Sequence, residues 1–222
     1  MALLKKGAEA DICLEDYIKL FYKGGEEKVI VKHRIPKGYR IPEIDLGLRK
    51  FRTLLEAKLI SDAKRAGVPT PTIYKIDTEE MKLIMEFVEG TQLKKVLEAM
   101  PAPEMKRICR EVGRLVARLH KAGIVHGDLT TSNMILTRDG RIVFIDFGLG
   151  EYARSVEERG VDPPPSQRAL LSAHFKICEK AFKAVLEGYR AELGKEAEEV
   201  IKRAEEIEKR GRYVPKEERA WC

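Results

Sequence analysis

The stretch His126-Gly127-Asp128-Leu129-Thr130-Thr131-Ser132-Asn133 carries an imidazole, a carboxylate, three hydroxyls and an amide, and then turns apolar at Met134-Ile135-Leu136. Asp128 is followed five residues later by Asn133, and Asn133 thirteen residues later by Asp146, which opens Asp146-Phe147-Gly148. A carboxylate facing a hydroxyl can take its proton. An amide oxygen and a second carboxylate are hard donors suited to a small divalent cation that also holds phosphate oxygens. Taken alone, His126-Gly127-Asp128 reads as a loop cap and Asp146-Phe147-Gly148 as a chance tripeptide. Jointly, at these offsets and after a helix, they read as a site for phosphoryl transfer.

Such a site needs elements to hold it, and 222 residues suffice for one core or two small lobes. The segment 102–123 spaces Ile108, Val112, Leu115, Val116 and Leu119 on one face of a helix that delivers the chain to His126. Met134-Ile135-Leu136, a turn at Asp139-Gly140, and Arg141 to Asp146 predict a short hairpin with Asn133 and Asp146 at its strand edges. Upstream, two strands, Ala10 to Leu14 and Lys28 to His33, flank a turn at Gly24-Gly25. A long helix from Ile44 stops at Gly67 before Pro69 and Pro71, and a second hairpin runs from Thr72 to Val88. Beyond Gly90 helical spacing dominates, including a helix entered through Pro163-Pro164-Pro165 with Ser166 as N-cap. The expected fold is α+β: an N-terminal lobe over 1–88 with an antiparallel sheet and one long helix, and a mainly helical C-terminal lobe over 89–222 ending in a basic tail.

The offsets match the protein-kinase pattern HxDxxxxN followed by DFG, in which Asp128 would be the catalytic base and Asn133 and Asp146 would hold Mg2+. That pattern also asks for a strand lysine on the ATP phosphates and a helix glutamate to hold it. Lys32 and Glu56 stand at those places, although a lone Lys or Glu is more often a surface charge. Along Leu83 to Gly90, Met85 would be the gatekeeper, the Glu86 carbonyl would accept from adenine, and the Val88 N–H would donate to it. Ile12, Ile30, Ile135 and Ile145 would sandwich the base, with ordinary core packing as the plainer reading.

Three further segments, Gly7 to Ile12, Val31 to Ile60 and the stretch from His126 to Leu136, resemble the PRPK-type kinase subunits of the KEOPS complex over nearly the whole chain. The resemblance implies a two-lobed, protein-kinase-like atypical serine/threonine kinase or ATPase using ATP and Mg2+. It would bind an actin-like catalytic subunit and a further small KEOPS subunit, and would support threonylcarbamoyladenosine formation at tRNA position 37. Of a glycine-rich loop only Gly7 remains, and Glu9 is expected to project towards the phosphates. No arginine precedes Asp128, so activation by loop phosphorylation is not expected. Thr130 stands where many kinases place a lysine, which lessens the positive charge offered to the transition state. The family's helix near Ser172-Ala173-His174 is here preceded by the three prolines, which cannot continue a helix.

A charge of +6 with pI near 9.0 permits nucleic acid without demanding it, and Lys209, Arg210 and Arg212 form the only purely basic end, a candidate tRNA contact. Four scattered cysteines form no CxxC pair, which indicates neither zinc nor a disulfide framework. Apolar runs are too short to cross a bilayer and Met1 to Gly7 lacks a signal-peptide core, so a cytoplasmic protein without membrane contact is expected. The competing readings are a small-molecule phosphotransferase and a catalytically weak nucleotide-sensing binding module.

Overall fold

A computed structural model describes residues 2–7, 9–16, 28–153, 170 and 174–212. In chain order the described elements begin with β1 (Ala2–Lys6), β2 (Asp11–Asp16), β3 (Lys28–His33), α1 (Pro42–Arg65), β4 (Ile73–Asp77), β5 (Lys82–Glu86) and β6 (Thr91–Gln92). They continue with α2 (Leu93–Val96), α3 (Ala102–Lys121), β7 (Ile124–Val125), β8 (Met134–Leu136), β9 (Ile142–Phe144), β10 (Glu151–Tyr152), α4 (Cys178–Leu193) and α5 (Ala197–Arg212). Contacts divide the chain into two compact units. One is Met1–Thr91 with Met134–Leu149, the other Gln92–Asn133 with Gly150–Cys222.

The first unit carries an antiparallel sheet of order β1-β2-β3-β5-β4. Strand alternation puts Cys13, Val29, Val31 and Ile84 together in a buried cluster, and turns Ile12, Ile30, Lys32 and Met85 to the opposite face. The strand β1 was not anticipated from sequence. It exists because the chain reverses at Gly7, whose N–H donates to the Ala10 carbonyl at 3.0 Å. A Cβ at Gly7 would lie 2.6 Å from that same oxygen, so only glycine closes the turn. The Gly24-Gly25 turn lies outside the described residues.

Pro42 pre-sets the first turn of α1, where Glu43 and Asp45 face the positive helix end, and Lys64 and Arg65 sit in the last turn. Its end is closed by Gly67 at φ 81°, with Gly67 N–H on the Lys64 carbonyl at 3.1 Å and Val68 N–H on the Ala63 carbonyl at 3.0 Å. The inward stripe buries Thr53, Glu56, Ala57, Leu59, Ile60 and Ala63. Burying Leu59 and Ile60 contributes about 1.5–3 kcal/mol each, enough to hold the helix and with it Glu56. The β8–β9 hairpin pairs Met134 with Phe144 and is tied to the chain after α1 by Phe144 N–H on the Pro69 carbonyl at 2.9 Å.

The second unit is built on the pair α3 and α4. Ile108, Val112, Leu115, Val116 and Leu119 are all buried, as their spacing predicts. The two helices touch backbone to backbone. A Cβ at Gly113 would fall 2.0 Å from the Val185 carbonyl oxygen, and one at Gly188 would fall 1.9 Å from that of Arg110. Sequence spacing predicts an unbroken helix from Ser166 to Leu193, but His174 is non-helical, residues 175–177 form a turn, and α4 starts only at Cys178. The physical reason lies in His174, whose fully buried side chain is committed to Thr131 rather than to a helix face. The residues Pro163 to Pro165 and Ser166 lie outside the described residues.

Among the described residues no helix is long and apolar enough to cross a membrane. Cys13, Cys109 and Cys178 are buried free thiols. Burial pushes the Cys109 thiol up to about 12, which removes it as a nucleophile.

Candidate active site

Within the first unit, the expected pair forms: Lys32 Nζ lies 2.6 Å from Glu56 Oε1, deep in the fold. The same ammonium lies 2.6 Å from Asp146 Oδ1, so strand, helix and hairpin meet at one nitrogen. Burial alone would lower the Lys32 pKa, yet Glu56 and Asp146 outweigh it and hold the ammonium above its ordinary value. Asp146 has φ 63°, a left-handed backbone that few residues other than glycine adopt. Such stored strain is common where a side chain must be aimed. The Asp146 carboxyl stays one-third exposed while Glu56 is buried, so Asp146 is the carboxylate within reach of a ligand.

Sequence reasoning missed Arg34. Its Nη2 lies 2.6 Å from Glu56 Oε2, and both groups are buried. The signal was available in strand alternation, since Arg34 is two residues beyond Lys32 on the same face. Glu9, expected to project towards phosphates, instead pairs with Arg40 at 3.2 Å and Arg52 at 2.9 Å. Two guanidinium partners outweigh an outward pose beside phosphate, where a carboxylate would meet like charge. Arg40 and Arg49 also hold Asp45, at 3.4 and 2.6 Å, and Arg49 Nη1 donates to the Arg34 carbonyl at 3.3 Å. Among these groups the Asp45 carboxyl is partly penalised by burial but held below the usual carboxylate range by Arg49 and Arg40.

Met85 is buried and paired across the ladder with Ile30. Ile12, Ile30, Ile135 and Ile145 are all half-buried, unlike the sealed Cys13, Val29, Val31 and Ile84 cluster. Glu86 is anchored by its N–H on the Thr72 carbonyl at 2.8 Å and its Oε2 accepting from Thr72 N–H at 2.9 Å. Val88 follows beyond the end of β5, and Gly90 lets the chain pass β8: a Cβ there would sit 2.5 Å from the Leu136 carbonyl oxygen. A cavity of about 420 Å³ lies among Lys64, Pro69, Glu86, Val88, Arg141 and Val143. Neither Lys32 nor Asp146 lines it.

Within the second unit, Asp128 is exposed in a loop shaped by three bonds: its N–H on His126 Nδ1 at 3.3 Å, Thr130 N–H on its carbonyl at 2.9 Å, and Asn133 N–H on the Thr130 carbonyl at 3.0 Å. Asn133 Nδ2 donates to Asp128 Oδ2 at 2.8 Å and to the Asp128 carbonyl at 3.1 Å. The amide nitrogen is thereby spent, and the amide oxygen is the atom suited to a hard cation. Thr131, in the single turn Thr131–Asn133, meets His174 Nε2 at 2.9 Å. His174 was also missed, and no local pattern signals a partner 43 residues away.

Among the described residues no three His, Cys, Asp or Glu side chains gather as a self-sufficient metal site. One carboxylate and one amide oxygen suit Mg2+, which keeps few protein ligands and completes its shell with water and phosphate. Asp146 offers such a carboxylate in the first unit and Asn133 such an amide oxygen in the second.

The ABC1 atypical kinase-like domain matches residues 26–160. A Pyrococcus abyssi protein named "KEOPS complex subunit Bud32" is 52% identical over 188 residues, covering 85% of this chain and 84% of that protein. An Archaeoglobus fulgidus protein named "Probable serine/threonine-protein kinase BUD32 homolog" is 49% identical over 173 residues, covering 75% of this chain and 83% of that one. A Methanothermobacter thermautotrophicus "Probable bifunctional tRNA threonylcarbamoyladenosine biosynthesis protein" is 44% identical over 186 residues, covering 84% of this chain but only 32% of that longer protein.

Proposed function

We propose a function from one premise: the chain belongs to the Bud32 family of atypical serine/threonine kinases. On that footing it is a cytoplasmic subunit of a KEOPS complex that consumes Mg-ATP in support of threonylcarbamoyladenosine modification at tRNA position 37. Its partners are an actin-like catalytic subunit and a further small subunit, with tRNA reached through the complex and the basic tail.

The observation that carries this reading is the Lys32, Glu56 and Asp146 cluster, in which one buried ammonium is shared by two carboxylates at 2.6 Å each. Lys32 steadies the nucleotide phosphates and Glu56 aims it. Gly7 keeps the β1–β2 turn tight. Adenine rests on Ile12, Ile30, Ile135 and Ile145 beneath the Met85 gatekeeper and bonds the Glu86 carbonyl and Val88 N–H. Asp146 and Asn133 are the Mg2+ ligands, and Mg2+ when bound offsets charge on the phosphate oxygens. Asp128 accepts the proton of the attacking hydroxyl or water. Thr130 supplies no charge beside the transferring phosphate, which favours slow turnover.

The test follows the γ-phosphate. Labelled Mg-ATP is supplied with and without the actin-like partner and tRNA, and free phosphate is separated from labelled protein, with Asp128→Asn and Asp146→Ala run alongside. Release as free phosphate, highest with partner and tRNA and lost in both variants, is expected. Label on serine or threonine assigns a protein kinase instead, and unchanged turnover in Asp146→Ala removes the metal role.

A further inference from the structure

Glu9 sits inside the turn that joins β1 to β2, closed by Gly7 N–H on the Ala10 carbonyl at 3.0 Å. Both of its carboxylate oxygens are taken: Oε1 lies 3.2 Å from Arg40 Nη2 and Oε2 lies 2.9 Å from Arg52 Nη1. Arg40 belongs to the segment before α1 and Arg52 to α1 itself, so one side chain ties the turn to two further places in the chain. Arg40 is itself braced. Its Nη1 reaches Asp45 Oδ1 at 3.4 Å, and Asp45 is fixed in turn by Arg49 Nε at 2.6 Å. The bridge lies beside Lys32 on two counts. β2 leaves the turn with Asp11 opposite His33 and Ile12 opposite Lys32, which puts the turn at the Lys32 end of the sheet. Arg52 stands one helical turn before Glu56, which meets Lys32 at 2.6 Å.

We infer that Glu9 is a positioning residue that clasps the β1–β2 turn to α1 through Arg40 and Arg52 and so slows the escape of nucleotide held at Lys32. The inference rests on the reading of Lys32 as the nucleotide lysine, and it leaves the Lys32 and Glu56 pair intact throughout. With Gly7 as its one glycine, the turn adapts less freely than a glycine-rich loop, and a bridge from its own side chain sets its place instead. An ordinary exposed ion pair is worth little. This one joins three segments with both carboxylate oxygens engaged, and its Arg40 arm is already held by Asp45, so less side-chain freedom is lost in forming it. The guanidiniums of Arg40, Arg49 and Arg52 also outnumber the carboxylates of Glu9 and Asp45. Phosphate arriving beside the turn meets a net positive cluster rather than a lone carboxylate.

The experiment follows release of a fluorescent ATP analogue from the full chain in the presence of Mg2+, by stopped-flow chase with unlabelled ATP, and records thermal unfolding of each variant without nucleotide. Glu9→Gln and Arg52→Gln are each expected to speed release by about fivefold, the scale of a half-exposed ion pair. The double variant is expected to release no more than about sevenfold faster than wild type, because both changes open the same clasp. Arg52→Lys, which keeps a cation opposite Oε2, is expected to stay within about twofold. Slower release from Glu9→Gln would mean that Glu9 only repels phosphate, and would overturn the inference. So would a lowered unfolding temperature with unchanged release, which marks an ordinary structural pair, or release from Arg52→Lys as fast as from Arg52→Gln. Effects that multiply to about 25-fold in the double variant would place Arg52 on phosphate directly and would overturn it too. Lys32→Met separates the two readings: if it binds the analogue as tightly as wild type, the assignment of Lys32 fails and the clasp falls with it. Weakened binding in Lys32→Met with unchanged release from Glu9→Gln leaves Lys32 standing and sinks the clasp alone.

Discussion

Thr131 Oγ1 and His174 Nε2 lie 2.9 Å apart in a region where the imidazole has no solvent exposure, so the turn that carries Asn133 is pinned by a buried titratable group. The other ring nitrogen, Nδ1, faces Glu98 Oε1 at 3.9 Å. Burial lowers the His174 pKa, Glu98 opposes the shift and Lys94 adds to it, and the imidazole stays below its ordinary value. The unfolded chain therefore binds more protons between the two values, so stability rises with pH across that window. This contribution is complete above about pH 6.5, the unperturbed imidazole value, and is lost progressively as pH falls below it. Thermal unfolding at pH 7.5 and pH 5.5 checks this: wild type should lose more on acidification than His174→Gln, whose amide keeps a hydrogen-bonding group and cannot titrate. Equal losses in the two proteins would remove His174 as the group responsible. At the same scale, the kinase-like pattern points to Lys32, Glu56 and Asp146, which the structure brings together in the first unit, while the proposed roles of Asp128 and Asn133 rest on the pattern. Arg34 and His174 stand outside those offsets, Arg34 in contact with Glu56 and His174 with Thr131.

The crossing of α3 and α4 argues at the scale of elements. Alanine in place of a helical glycine ordinarily gains up to about 1 kcal/mol. Here the added Cβ would meet a backbone oxygen at 2.0 Å from Gly113 or 1.9 Å from Gly188, and backbone cannot step aside as a flexible side chain can. Gly113→Ala and Gly188→Ala should each destabilise the protein by about 2 kcal/mol or more, read as a lower urea midpoint, because overpacking outweighs propensity. A gain in either variant would show that the helices part freely. The facing Tyr189 adds a tie, its hydroxyl 2.7 Å from His120 Nδ1. Periodicity revealed α1 and α3 because each buries one face and exposes another, and the Asp139-Gly140 turn revealed the β8–β9 hairpin, whose β9 is buried throughout. It failed at β1, whose Ala2-Leu3-Leu4-Lys5-Lys6 does not alternate apolar with polar and which depends on the turn at Gly7. It failed again over residues 174–177, where helix-like spacing continues although the His174 side chain is drawn to Thr131.

For the whole molecule, a charge of +6 sets the expectation for nucleic acid. If tRNA meets this chain through phosphates, its association should weaken steeply with added salt, log affinity falling linearly with log salt as counterions are displaced. A filter-binding or anisotropy titration at several KCl concentrations, with the complex assembled, would measure the slope, and a flat response would remove direct phosphate contact. The two-unit division places Met134–Leu149 with the sheet rather than with the segments that flank it in sequence, because Phe144 bonds to Pro69 and Asp146 to Lys32. The sequence by itself determined the family, the strands β2 to β5 and the helices α1 and α3, since spacing along one strand or helix is a local property written in residue order. Only the tertiary structure decided that Asp146 shares Lys32 with Glu56, that Arg34 takes the second oxygen of Glu56, and that Glu9 turns to Arg40 and Arg52. Those choices depend on which charges compete at close range once water has been excluded, and residues far apart in the chain are compared only after folding brings them together.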